Sequence, residues 1–552
     1  MSIKLPSDKT EVAIGFGLVL IAALIMCYVP PDMDDYNQYH ALACWHYPYS
    51  SLNVFAIPCA GKMNLKLWGG IIWPRSYWYV GAAYSLLYYP LFMLWPQWQS
   101  TVLLGIVIMI PGVLSASRLL KVSLPVTLLV LCGTFPVMYY VLRDYGQITL
   151  QFSLLYLIPW ALYKAATGLR VRAWLPFSML AGFLLAMGVE SKPLFCYFVP
   201  SIAIVTLAFC RPIKPGLSLF LFLLRRFAPG MALCVFLLTL LFTGVDGNGV
   251  AYYRQLAGLV PMPGVPAALI TDTASGIPNY YINKEVLAPS VWEQSHGVLQ
   301  GLLRAKHLLG AFWFDFPNAA RFSYGMNVPL NLPFDWRGIL QTMPFWLIFG
   351  FVTVVYLTKC RIKEPPQTLL CVVALLVASA VGVVAVSMNI YAIKAHHVLQ
   401  PFYYLLGAFA IMLEAIYRHL RKHFVFIVAM LLTSQIGCAY YVTSLEPLPR
   451  YNWERIEMLD FITSHQLAEK SVIDNLDWGV YYLASLYGPK DQLVLMDASY
   501  NRTIQLAHKL KRYALFIRQA SDAPPLNMGG LRLVFPQTKR SHTWEVWTDA
   551  PL

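Results

Sequence analysis

Long uncharged apolar runs separated by short polar turns occupy most of the chain. A helix crossing a hydrocarbon core of roughly 30 Å needs about 20 residues. Runs of that kind begin at Val12, Thr101, Val122, Ile148, Ala173, Pro193, Phe227, Gly338, Gln367, Val398 and Phe424. The pattern predicts a polytopic α-helical membrane protein with about 11 transmembrane helices. Another stretch, Ser76 to Pro96, is equally uncharged but dense in Tyr and Trp, and it contains Pro90. One extra crossing there would invert the side of every later loop.

Charge decides that point. If the aromatic stretch does not span, one face collects Lys4, Lys9, Arg118, Lys121, Lys164, Arg170, Arg172, Arg211, Lys214, Arg225 and Arg226. The same face takes Lys359, Arg361, Lys363, Arg418, Arg421 and Lys422, while the opposite short turns hold only Arg143, Lys192 and Lys394. The cation-rich face is cytoplasmic by the positive-inside rule. A crossing at Ser76 to Pro96 would separate Lys4 and Lys9 from the other clusters, so the stretch is expected to be interfacial or re-entrant. Val12 to Val29 is long for the apolar core of a cleavable signal and no small-residue cleavage pattern follows it, so it reads as a first span.

The tail differs in kind. Charged and apolar residues mix there at soluble proportions, with a helical period from Trp453 to Leu467. Short β-like runs follow at Ser471 to Asp474, Gln492 to Met496, Ala514 to Ile517 and Leu531 to Phe535. The expected organisation is a membrane module over residues 1–444 and an extracytoplasmic α/β domain over residues 445–552. The membrane module has a first outer loop over residues 30–96 and a long outer loop over 244–337.

Composition agrees: 58% of the residues are hydrophobic and 12% charged, far from soluble proportions. Lys and Arg outnumber Asp and Glu by 41 to 27, but the excess lies in the turns between apolar runs, so it is topogenic and no nucleic-acid partner is implied. Most of the ten cysteines lie in or beside spans. Cys44 and Cys59, both in the first outer loop, are candidates for a disulfide in an oxidising compartment.

The candidate chemistry sits in the outer turns. Directly after the first span the chain reads Pro31-Asp32-Met33-Asp34-Asp35-Tyr36-Asn37-Gln38-Tyr39-His40. Crowded carboxylates raise one another's pKa, which suits a general base, although Asp is also favoured at a helix start. Arg143-Asp144, Glu190-Ser191-Lys192-Pro193 and Lys394-Ala395-His396-His397 form later outer turns, and Arg75 and Arg321 add cations in the long loops. Such groups can converge where an acceptor hydroxyl meets a phosphate-bearing donor. Each also has a plainer reading: Lys192 as a snorkelling side chain, Asp144 as the ion-pair partner of Arg143, and the histidines as residues of an interfacial turn.

The acidic pair Asp34-Asp35, the segment Pro74-Arg75-Ser76-Tyr77-Trp78-Tyr79, the acidic turn at Asp144 and the extracytoplasmic tail together resemble the GT-C glycosyltransferases. The resemblance is to the protein O-mannosyltransferase and lipid A aminoarabinose transferase branch. It departs where those relatives have Lys-Pro-Pro: this chain reads Ile72-Trp73-Pro74, with Arg75 the nearest cation. The resemblance implies an inverting transfer of a sugar from a polyprenyl-phosphate donor to an envelope glycan, lipid or protein. Asp34 or Asp35 would be the base and Asp144 would orient it or contact the acceptor. Arg75, Lys192, Arg321, His396 and His397 would be the donor-phosphate cations. No cofactor is implied beyond a divalent metal, for which Asp32, Asp34, Asp35 and His40 are the oxygen-rich candidates. Two other readings stay open. One is polymer transfer of the oligosaccharyl transferase or O-antigen ligase kind; the other is transport of lipid-linked sugars, which would favour charges inside spans. The expected location is a bacterial inner membrane with a periplasmic tail, or the endoplasmic reticulum membrane in a eukaryote.

Overall fold

The computed structural model describes residues 17, 60–63, 71–75, 83–133, 148–210, 217–243, 336–387, 399–444, 447–475, 493–495, 500–519, 530–536 and 544–551. The protein is a polytopic α-helical membrane protein with a β-containing C-terminal region. The described parts of the predicted runs fall on helices, and of the first run only Gly17, also helical, is described. A short helix α1 (Ala83–Leu94) is followed by α2 (Gln99–Leu120), α3 (Leu124–Leu131), α4 (Ile148–Thr167) and α5 (Val171–Ser191). A 3-10 turn, Pro193–Phe198, leads to α6 (Val199–Cys210) and α7 (Leu217–Thr243). The bundle is completed by α8 (Trp336–Val355), α9 (Pro366–Ser387), α10 (Leu399–His419) and α11 (Arg421–Ser444).

Among the described residues five helical stretches are by themselves long and apolar enough to cross a membrane: Gln99–Leu120, Val171–Ser191, Leu221–Thr239, Phe345–Lys363 and Pro366–Val386. Helix α10 carries more polar residues and is enclosed by other helices. It is packed by α3, α4, α8, α9 and α11, and Tyr403, Tyr404, Leu406, Phe409 and Leu413 are wholly buried. That enclosure surrounds polar groups too: two of them have partners in the bundle, whereas the Tyr403 hydroxyl has no hydrogen-bond partner among the described residues. Gln400 Nε2 donates to Gln151 Oε1 at 2.8 Å, and the Tyr404 hydroxyl donates to the Leu155 carbonyl at 2.9 Å. Helices α5 and α7 instead meet through small residues. A side chain on Gly182 would strike the Gly230 carbonyl, and the Gly230 amide donates to Ser178 Oγ at 3.1 Å.

These contacts fix which helix ends lie together. Glu414, near the end of α10, accepts from the backbone N–H and hydroxyl of Ser123 at the start of α3, at 3.1 and 2.6 Å. It also pairs with Arg418 one turn on, at 3.1 Å, as the i,i+4 spacing predicts. Arg418 donates to the Lys121 carbonyl just past α2, and Glu364 before α9 faces His419 at 3.0 Å. Lys121, Lys359, Arg361, Lys363, Arg418, Arg421 and Lys422 therefore gather at one end of the bundle, the basic end. The Gln151–Gln400 pair sets the starts of α4 and α10 at the other end, and α5, returning from the turn at Gly168, finishes there.

The tail begins with α12 (Pro447–Ser464) and a short α13 (Leu467–Lys470). It contains a five-stranded mixed sheet in the order β4 (Leu493–Leu495), β3 (Ser471–Asn475), β5 (Tyr513–Gln519), β7 (Trp544–Thr548), β6 (Arg532–Phe535). β3 pairs with β4 and β5 in parallel, whereas β7 runs antiparallel to β5 and β6. Ala514 to Ile517 are all buried, as expected of a central strand covered on both faces. α14 (Tyr500–Lys509) packs on β3 and β5. Arg455 of α12 stacks over Trp544 at 5.3 Å and fixes that helix to β7.

Candidate functional site

The non-basic end is organised by α1, which lies within the aromatic stretch. The twelve described residues rise about 18 Å, less than the roughly 30 Å hydrocarbon core, and Pro90 lies inside the helix. Both ends of α1 stay at the same end of the bundle. The Ala83 amide donates to Glu190 Oε2 at 3.0 Å, beside the last turn of α5. Halfway along α1, Tyr88 shares a 2.6 Å hydrogen bond with Ser100 Oγ at the start of α2. Ser100 Oγ in turn donates to the Gln97 carbonyl, closing the α1–α2 corner.

Glu190 is 1% exposed and is the acceptor for a helix-start amide, where negative charge is favoured. Two residues on, Lys192 is 7% exposed. Pro193 explains its position, because a residue before proline is driven out of the helical region. Lys192 is accordingly extended (φ −158°, ψ 118°), and its amide still closes on the Gly188 carbonyl. The residue follows the last turn of α5, the end of a helix where a cation is favoured. The plainer expectation of a snorkelling lysine does not describe a side chain enclosed by protein.

A hairpin lies upstream in the first outer loop. β1 (Ala60–Met63) pairs antiparallel with β2 (Ile71–Arg75), placing Arg75 opposite Ala60 and Ile72 opposite Lys62. β1 meets α7, and Arg75 ends the strand that leads toward the aromatic segment. The remaining candidates, Asp32, Asp34, Asp35, His40, Asp144, Arg321, His396 and His397, lie outside the described residues, as do Cys44 and Cys59. Among the described residues no three His, Cys, Asp or Glu side chains gather as a metal site. The structure thus joins the third outer turn to the aromatic segment through Glu190 and Ala83. Sequence reasoning placed Glu190 in an outer turn but had no signal for this contact, since its partner is a backbone amide.

No protein family and no curated protein sequence matches the chain. Solved structures do align over most of its length. The crystal structure of ArnT from Cupriavidus metallidurans bound to undecaprenyl phosphate covers 99% of this chain and 99% of its own, at 12% identity and a TM-score of 0.48. The apo structure of the same protein covers 98% of each chain at 12% identity and a TM-score of 0.40. The Archaeoglobus fulgidus oligosaccharyltransferase tethered to an acceptor peptide covers 92% of this chain and 69% of its own, at 12% identity and a TM-score of 0.39.

Proposed function

We propose that this chain is a GT-C-type membrane glycosyltransferase that moves a sugar from a polyprenyl-phosphate donor to a glycan, lipid or protein acceptor, and that it works at the end of the bundle opposite the basic turns. The observation that carries this reading is α1, an aromatic helix held at that end by Glu190 and adjoining the enclosed Lys192. A donor whose tail lies in the bilayer has to be met at the interface. Leu87, Met93, Leu94 and Trp95 on and beside α1 present exposed apolar surface suited to that depth.

In the proposed mechanism Asp34 or Asp35 takes the proton from the acceptor hydroxyl. The hydroxyl oxygen attacks the anomeric carbon, the bond from that carbon to the phosphate oxygen breaks, and configuration inverts. Polyprenyl phosphate departs with its charge met by Lys192, Arg321 and one of His396 and His397, with Arg75 the further candidate. Asp144 orients the base or contacts the acceptor. No step requires a metal. By the positive-inside reading the reacting end is extracytoplasmic, in a bacterial inner membrane with the tail in the periplasm.

The transport reading is less favoured. Among the described residues the buried charged side chains of the bundle include Glu190, Lys192, Glu364 and Glu414, and each stands near a helix end instead of forming a path through the membrane.

The test is transfer of radiolabelled sugar from a panel of polyprenyl-phosphate monosaccharides by the full-length protein in nanodiscs, with and without EDTA. Transfer that Asp34→Asn or Asp35→Asn abolishes while the fold persists supports the reading. Appearance of a lipid-linked sugar on the other leaflet, with no transfer from any donor, overturns it.

A further inference from the structure

The corner between α1 and α2 meets the tail at a cleft that the transfer mechanism does not use. Its volume is about 150 Å³, and its walls include Trp98 and Gln99 on one side and Trp453, Ile456, Leu459 and Asp460 of α12 on the other. An apolar cavity of about that size holds a single benzene ring, so the cleft admits about one six-membered ring. The indoles of Trp98 and Trp453 stand edge to face, 6.3 Å apart at 80°. Trp98 is buried, whereas Trp453 is 38% exposed and part of its surface is open.

The polar groups are acceptors on opposite walls. Gln99 Oε1 is buried and has no hydrogen-bond partner among the described residues. Such an atom left unpaired is unfavourable, and a ligand hydroxyl would pair it. Asp460 lines the cleft from α12, where desolvation, and then the charge of Glu457 one turn earlier, push its carboxyl above the ordinary range. A ligand that fits must fill the space of one ring, lay a C–H face on indole and offer donors at two separated points. A neutral pyranose does all three. An ammonium headgroup offers its donors at one point, and an acyl chain offers none.

We infer that this cleft is a subsite for one pyranose ring of the acceptor glycan, held at headgroup depth between Trp453, Gln99 and Asp460. Its depth follows from Met93, Leu94 and Trp95, exposed apolar residues at the same corner. The ring's role as acceptor rests on the transferase reading above; the binding chemistry does not.

The test is saturation-transfer NMR of a panel of methyl pyranosides against the full-length protein in nanodiscs. Wild type is compared with Trp453→Ala, Asp460→Asn and Gln99→Met, with O-phosphoethanolamine and phosphocholine as headgroup probes. The expected result is pyranoside binding that Asp460→Asn and Gln99→Met each weaken up to about tenfold, the loss of one hydrogen bond to a buried or charged partner. Trp453→Ala should abolish it. Because that variant also removes the Trp98 contact, the two polar variants carry the test if it unfolds. Absence of pyranoside binding to wild type, equal binding by all variants, or binding of the headgroup probes in place of sugars overturns the inference. Binding that responds to the variants while no donor supports transfer would leave the subsite standing and defeat the transferase reading. Transfer with an unchanged acceptor KM in Asp460→Asn would do the reverse.

Discussion

The two ends of the bundle use ionic groups differently. At the basic end Glu414 receives Ser123 and Arg418, while Glu364 receives His419, so the charges tie one helix end to another. At the opposite end Glu190 accepts from the first amide of the short helix α1, and Lys192 is enclosed two residues on. One end is stitched together; the other holds a separate piece of chain in place against the spanning helices. Charge at a membrane protein's ends thus has two uses, sidedness and siting, and the partners of each carboxylate tell them apart.

The sharpest way to break this contrast is to remove the proposed base. Asp34→Asn or Asp35→Asn should lower transfer by about 10²–10⁴-fold with little change in thermal midpoint, since general-base contributions lie in that range. A small effect from both would remove the acidic pair from the chemistry.

Glu190→Ala is expected to leave the Ala83 amide buried without its acceptor, at a cost of about 1–3 kcal/mol, and to lower transfer with it. Glu190→Gln keeps an acceptor and should lose less. Glu414→Ala should cost about 1–2 kcal/mol by uncapping Ser123, measured by thermal unfolding, yet leave turnover per folded molecule unchanged. Equal turnover losses at Glu190 and Glu414 would erase the distinction between the ends.

The smallest effect concerns Asp460. Its folded-state pKa is raised by desolvation and by Glu457, so its ionised form disfavours the folded state. That penalty is present above the folded-state pKa and fades as pH falls below the ordinary carboxylate value of about 4. Asp460→Asn should therefore raise the thermal midpoint slightly at pH 7 and give no difference below about pH 4. A variant less stable than wild type at pH 7 would contradict the assignment.

Much of the helical framework was readable in the chain because bilayer thickness fixes helix length. Within the aromatic stretch the described helix α1 has twelve residues. In the tail the four predicted strands are present, since β3 and β5 are continuous apolar runs. β7 was missed: Glu545 and Trp547 dilute the run, although Trp544, Val546 and Thr548 alternate inward at strand period. The Glu414–Arg418 pair was visible from spacing, but Ser123, 291 residues from Glu414, was not. The cleft likewise joins Trp98 to Trp453, which are brought together only by tertiary packing.

The most direct test of the central claim needs no knowledge of the sugar. Binding of polyprenyl phosphate to the full-length protein can be measured by native mass spectrometry for wild type, Lys192→Met and Glu414→Gln. The account predicts binding by wild type, weakening of about tenfold or more in Lys192→Met, the loss of one charge-assisted contact, and no change in Glu414→Gln. No binding by wild type, or a loss confined to Glu414→Gln, would contradict it.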